Sequence, residues 1–245
     1  LGVNRAVRLF LNGPAGVAYD RWPRRPLFVG ALFIGALSTA LYAATHGFWP
    51  LLVGRLLWGL AWSGIWVGGA TMILDGAAPA ARGRWTGLYQ TWFFVGSALG
   101  SLGGGLLTDL LGYTATMWVG AAVTAAGGLV ALLMLPETGH RPVSTPSPVA
   151  APRRGVWRLR PRENRELWLA ISLQGVNRFI VSGVISGTLA LVVQAWAGGM
   201  FIALGVATLT GVAMATRTLL SMAAAPLAGA WSDRARAAGG SRWPV

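Results

Sequence analysis

Apolar residues run along this chain in seven stretches, at roughly 1–19, 27–45, 50–75, 86–110, 113–135, 167–193 and 200–231. A bilayer core of about 30 Å is crossed by about 20 apolar residues in a helix, so each stretch is long enough to cross. Inside lipid every backbone N–H and C=O must be paired within the segment, which leaves helices as the form for these spans. At about 1.5 Å per residue the last stretch would reach about 48 Å, so its outer part reads as a loop or interfacial segment. Breaker chemistry separates the stretches at Trp22-Pro23, His46-Gly47, Gly76 to Pro79, Leu111-Gly112 and Ala197-Gly198-Gly199.

The polar positions between the stretches divide by charge. Arg21, Arg24 and Arg25 follow the first stretch, and Arg82 and Arg84 follow the third. Seven arginines from Arg141 to Arg165 follow the fifth, and Arg234, Arg236 and Arg242 follow the seventh. The alternate connectors, around Gly47, Gly112 and Gly198, carry no Lys or Arg. That alternation is the positive-inside pattern and places the arginine-bearing connectors in the cytoplasm. Trp22, Trp85, Trp168 and Trp231 fall near inner ends, and Trp49, Trp118 and Trp196 near outer ends, as interfacial tryptophans do.

Composition narrows the class further. The 245 residues are 54% apolar and 11% charged, against about 25% charged in soluble domains. Lys is absent, so all 20 basic residues are arginines, set against 7 acids. In a soluble protein that excess would point to nucleic acid; here the arginines follow membrane topology, and no nucleic-acid partner is expected. Zero cysteines exclude disulfides, thiolate metal sites and cysteine nucleophiles, and His46 and His140 are too few for a histidine metal centre. No cofactor is expected. Residues 136–165 hold six prolines and most of the arginines between spans, and read as a cytoplasmic linker. Its basic stretch either rests on anionic lipid or is a solvated tether. The expected division is therefore 1–135, a membrane half; 136–165, the linker; and 166–245, the start of a second half.

One pattern occurs twice. The first stretch leaves the membrane through Gly16-Val17-Ala18-Tyr19-Asp20-Arg21-Trp22-Pro23-Arg24-Arg25, and the seventh through Gly229-Ala230-Trp231-Ser232-Asp233-Arg234. Both lie on the arginine-rich side, downstream of Pro14 and Pro226. A glycine one turn before the exit admits a neighbouring helix, and an aspartate there can accept from a helix N-terminus or pair with an arginine. Two copies in equivalent positions make an internal repeat.

With these residues the chain resembles the major facilitator superfamily, closest to its drug or solute:proton antiporters. The loop signature Gly-x-x-x-Asp-Arg-x-Gly-Arg-Arg is matched by Gly16, Asp20, Arg21, Arg24 and Arg25, with Pro23 at the second glycine; the copy keeps Gly229, Asp233 and Arg234. Arg55-Leu56-Leu57-Trp58-Gly59 looks like the family's fourth-helix pattern. Gly100 to Gly105 is similar to its fifth-helix glycine motif with Ser101 at the proline, and Pro136-Glu137-Thr138 to the tripeptide after helix six. The resemblance implies an all-α membrane protein, a partial bundle of about seven of the family's twelve helices, from late helix two to helix eight. It implies that the loop and its copy act in gating contacts between the two halves.

The solute site is expected among arginines inside apolar stretches: Arg5, Arg8, Arg55, Arg178 and Arg217. Each costs about 2.5–3.5 kcal/mol near a helix centre and should face protein or a water-filled cavity, though Arg55 lies close enough to an outer end to snorkel. At about 100° per residue Arg55, Gly59, Trp62 and Trp66 share a helix face, and Gln174, Arg178, Ser182 and Ser186 form a polar stripe. In the family both helices line the central cavity. The tryptophan face either stacks a solute or meets lipid. All seven acids, Asp20, Asp75, Asp109, Glu137, Glu163, Glu166 and Asp233, sit at span ends or in connectors. Arginines without deep acids favour an anionic or hydroxyl-rich solute, unless carboxylates on further helices pair them.

Gly96, Gly100 and Gly104, with Ser97, Ser101 and Gly105 beside them, form a small-residue strip for close helix packing. In the family this helix meets helix eight across the halves. Asp75, Asp20 and the Arg24-Arg25 pair are expected to cluster at the cytoplasmic side. The functional expectation is secondary active transport of a small solute by alternating access, as proton-coupled efflux. The alternatives are uptake of an organic anion or sugar by the same fold, or, in another class, a seven-helix receptor or membrane-embedded enzyme. The receptor reading leaves the repeated Asp-Arg exits unexplained. The enzyme reading lacks a nucleophile, a membrane histidine and a phosphate-cradling loop, so no enzyme is expected. Expected partners are the solute, a proton or other coupling ion, and lipid; the setting is the inner membrane of a prokaryote, as a monomer.

Overall fold

The structure, a computed structural model, describes residues 3–78, 81–138, 165–197 and 205–237. The expected linker 136–165 lies almost wholly outside them, as does the Gly198-Gly199 breaker. Among the described residues every regular element is helical: α1 (Val3–Arg21), α2 (Arg24–Ala44), α3 (Phe48–Gly76), α4 (Arg82–Leu111), α5 (Tyr113–Met134), α6 (Arg165–Arg178), a π-helical segment (Phe179–Ile185), α7 (Ser186–Ala197) and α8 (Val206–Ala237).

Among the described residues five helices are long and apolar enough to cross a membrane: Arg24–Ala44, Phe48–Gly76, Arg82–Leu111, Tyr113–Met134 and Val206–Ala223. The two remaining expected crossings are helical but do not reach that standard. Asn4, Arg5, Arg8 and Asn12 dilute α1, and the sixth stretch is divided by its π segment into pieces of 14 and 12 residues. The turns follow the breakers. Pro23 cannot continue α1, and α2 begins one residue later. At the other end of the bundle Gly47 (φ 102°) and Gly112 (φ 82°) adopt positive φ, which permits the tight reversals into α3 and α5, the second of them through Gly112 alone.

Packing is the reverse of a soluble core. Apart from Tyr19, Val29 and Met72 the buried residues are small, among them Ala31, Ala36, Ala61, Ala98, Ala121, Ala215, Ser38 and Ser63, while Phe10, Trp49, Trp92, Leu133 and Leu191 face outward. In lipid, large apolar side chains gain nothing by turning inward, so small residues that let backbones approach select the interfaces. Most hydroxyls within the spans are satisfied on their own helix, as where Thr39 donates to the Gly35 carbonyl (3.0 Å), Ser63 to Gly59 (3.0 Å) and Thr124 to Gly120 (2.8 Å), whereas Ser38 of α2 donates across to the Gly54 carbonyl of α3 (2.8 Å).

Helix α3 packs against α1 and α2, α2 against α5, and α4 against α8 and α5. Tyr19 of α1 lies against the α3 backbone, where a Cβ at Gly68 would collide with its hydroxyl, and it donates to the Gly64 carbonyl (3.0 Å). Helices α4 and α8 are antiparallel: Gly105 meets Ala207, and Gly211 meets Ser101. The C-terminal end of α8 therefore lies on the side of Arg82, the same side as the end of α3 and the start of α2.

Candidate functional site

Two regions and a seam carry the chemistry. The first is at the arginine-rich end, where the ends of α1, α3 and α5 converge on the start of α2. Arg24 forms an ion pair with Asp75 at the end of α3, and its Nε donates to the Tyr19 carbonyl of α1 (3.4 Å). Glu137, just past α5, accepts from the backbone N–H groups of Arg24 (2.8 Å) and Arg25 (3.3 Å) through one carboxylate oxygen. A carboxylate there satisfies orphan donors of the α2 N-terminus and meets the positive end of its dipole. The Arg25 guanidinium donates to the Leu132 carbonyl of α5. Gly16, Asp20 and Arg21 lie on α1; Asp20 and Arg21 are exposed and have no side-chain partner among the described residues. Gly16 meets no neighbour: a Cβ there would find nothing within 4 Å. The second copy, Gly229, Asp233 and Arg234, sits inside α8, which continues helically to Ala237, whereas the first copy ends its helix. The side chains of that second copy lie outside the description.

The second region is inside the bundle. Trp58, Trp62 and Trp66 form a ladder along α3 with ring centroids 6.3 and 6.2 Å apart, the latter pair stacked. Phe93 of α4 meets Trp62 (5.7 Å) and Trp66 (5.4 Å) edge-on, and Tyr89 meets Trp66. The Arg8 guanidinium of α1 lies over the Trp62 ring at 5.1 Å. The Trp62 Nε1 is buried and has no hydrogen-bond partner among the described residues. Arg55 does not join this cluster. It lies over the Tyr42 ring of α2 at 5.3 Å, two turns nearer the arginine-free end. The shared helix face predicted from spacing is thus divided between two sets of neighbours.

On the other half Arg217 of α8 donates to the Ser186 hydroxyl (3.1 Å) and approaches the Met214 sulfur (3.8 Å). Ser186 in turn donates to the Val181 carbonyl, five residues back, in keeping with the π winding before it. That winding alters the expected stripe. A repeat of four residues assumes α-helical rotation, and Phe179–Ile185 interrupts it between Arg178 and Ser186. Gln174 lies on α6 and Arg178 ends it; their side chains lie outside the description.

The seam between α4 and α8 is tightest one residue round from the predicted strip. A Cβ at Gly96, Gly100 or Gly104 would meet nothing within 4 Å. At Gly105 it would collide with the Ala207 carbonyl, and at Gly211 with the Ser101 carbonyl. Near its end α4 presents Asp109, which accepts from the Ala207 and Thr208 backbone N–H groups (3.3 and 2.7 Å) and from the Thr208 hydroxyl (2.6 Å). The roles of Asp109 and Glu137 as helix caps were missed from sequence. A carboxylate beside a span end is visible there, but the helix end it caps comes from a distant segment.

A bundle of apolar helices with small-residue interfaces, interior arginines and polar contacts at both ends defines a multi-pass α-helical membrane protein. The sequence model of the Major Facilitator Superfamily matches residues 6–244, and the chain belongs to that family. Relatives include the MFS-type transporter ppzB of Metarhizium rileyi (strain RCEF 4871), 31% identical over 48% of this chain and 24% of that protein. An uncharacterized MFS-type transporter of Yersinia pestis (strain Pestoides F) is 29% identical over 63% and 36%. Citrate exporter 1 of Aspergillus niger is 30% identical over 53% and 24%. The matched part of this chain spans about a quarter to a third of these relatives' length. No solved structure matches.

Proposed function

We propose that this chain forms part of a secondary transporter that exports a small anionic or hydroxyl-rich solute by alternating access, coupled to protons, in the inner membrane of a prokaryote. Membership of the family supports membrane transport of a solute, and a transporter rather than an enzyme. The observation that carries the solute class is Arg217. It lies eleven residues into α8, about 16 Å along the helix, and its partners are a hydroxyl and a thioether. Among the described residues no carboxylate pairs with it.

Magnitudes favour a charged ligand. Holding an arginine at mid-membrane costs about 2.5–3.5 kcal/mol. A solute carboxylate about 4 Å away would return about 4 kcal/mol at an effective dielectric of about 20. The hydroxyl of Ser186 offers a weaker, neutral bond. Arg8 over the Trp62 face adds a second cation on the other half, which suits a solute held between halves. The name of the Aspergillus relative, a citrate exporter, agrees in charge class. Gln174, Arg178, Arg55 and Trp66 are retained as candidate solute contacts.

The test is transport by the full-length protein in inside-out vesicles, using carboxylates, sugars and organic cations with an imposed pH gradient. Carboxylate uptake that falls at least tenfold in Arg217→Gln, and collapses when the gradient is dissipated, supports the proposal. A solute profile unchanged by Arg217→Gln and Arg178→Gln rejects the anion site, and uptake indifferent to the gradient rejects proton coupling.

A further inference from the structure

A cavity of about 530 Å³ lies between α1, α2 and α3, away from the tryptophan ladder. It runs from Leu11 and Pro14 to Arg21 and Trp22 on α1, with Gly30 and Ile34 on α2. Its polar wall atoms are already engaged: Tyr19 donates to the Gly64 carbonyl and Ser63 to the Gly59 carbonyl. What remains is hydrocarbon, with one cation at the arginine-rich mouth. Arg21 has no hydrogen bond or ion pair among the described residues, whereas Arg24 and Arg25 are held by Asp75 and Leu132. Asp20 is not part of the wall.

We propose that this groove binds one anionic phospholipid of the cytoplasmic leaflet, with an acyl chain between α1 and α2 and the phosphate at Arg21. The dimensions agree. Ten residues separate Leu11 from Arg21, about 15 Å of helix, which is half of a hydrocarbon core of about 30 Å and the depth of one leaflet. Trp22, 59% exposed, stands at the headgroup level where indoles anchor. Beyond Arg21 and Trp22 at the mouth, a polar solute would find no free side-chain donor or acceptor along this wall, while an amphiphile matches both ends. Acyl chains gain little from leaving other lipid for a protein groove, so selectivity rests on the headgroup. One basic side chain near the surface contributes about 1 kcal/mol, or about fivefold preference for an anionic over a zwitterionic lipid.

The experiment places the full-length protein in bilayers containing phosphatidylglycerol or phosphatidylcholine with a photoreactive acyl chain, then maps the labelled peptides. Labelling within residues 11–34 is expected to favour phosphatidylglycerol about fivefold, and Arg21→Gln should bring that ratio to about one. Gly30→Leu, whose side chain enters open space, should lower labelling by both lipids several-fold. Equal labelling by the two lipids in the unaltered protein overturns the proposal, as does labelling unaffected by Gly30→Leu. Cross-links from these positions to a second copy of the chain would also overturn it, since the occupant would be a helix. If Gly30→Leu fails to fold, the lipid ratio with and without Arg21 decides alone.

Discussion

Asp109 and Thr208 are joined twice, by a backbone N–H and a hydroxyl donated to one carboxylate oxygen at 2.7 and 2.6 Å. This ties the arginine-free end of α4 to the first turn of α8, about a hundred residues along the chain. The contact caps α8 from outside its own chain segment, and opening that end of the seam requires its loss.

Asp109→Ala should therefore favour separation of α4 and α8 at that end. Removing a carboxylate N-cap costs about 0.5–2 kcal/mol, and this exposed one belongs near the middle of that range, about fivefold in population. Spin-label distances between the arginine-free ends of the two helices in the full-length protein measure it. A distribution identical to that of the unaltered protein would contradict the latch.

The seam itself distinguishes glycines that sequence alone treats alike. Gly105→Ala and Gly211→Ala each press a methyl into a facing carbonyl and should destabilise by about 1–3 kcal/mol, with transport reduced in step. Gly100→Ala meets open space and should stay within about 0.5 kcal/mol. Thermal midpoints in detergent separate the two groups, and an equal loss at Gly100 would relocate the seam.

The Arg24–Asp75 pair lies between exposed and buried regimes, with side chains 14% and 37% exposed. Its coupling should fall between about 1 and 3 kcal/mol. In a double-mutant cycle, Arg24→Asp and Asp75→Arg alone should impair transport and the exchanged pair should recover much of it. Additive losses would show that the two charges act apart.

Glu137 caps α2 from the far end of α5, so its loss should loosen two helices at once. Glu137→Ala is expected to destabilise by about 1 kcal/mol, and Glu137→Gln by less, because the amide oxygen still accepts from Arg24 and Arg25. Equal effects would mean that charge, rather than the hydrogen bonds, matters at this position.

Sequence legibility varied with the range of the physics involved. Five of the seven crossings, the turns at Pro23, Gly47 and Gly112, and the family followed from local hydropathy, backbone preference and motif. The π segment did not, because a Ser-Gly pair such as Ser182-Gly183 is equally compatible with an unbroken α-helix. The tryptophan ladder was legible as a face, but Phe93, Tyr89 and Arg8, which complete it, come from other helices.

Residue order determines that this chain is a helical membrane bundle and which connectors share a side, because transfer into lipid and loop charge act on each segment separately. Only the packed bundle decides that Gly105 rather than Gly100 meets α8, that Arg55 parts from Trp62, and that Asp109 and Glu137 cap helices far along the chain. Lipid is as apolar as leucine, so hydrophobic pattern leaves the faces of each helix nearly equivalent. Close backbone approach and polar pairing choose between them, and both exist only once the helices are together.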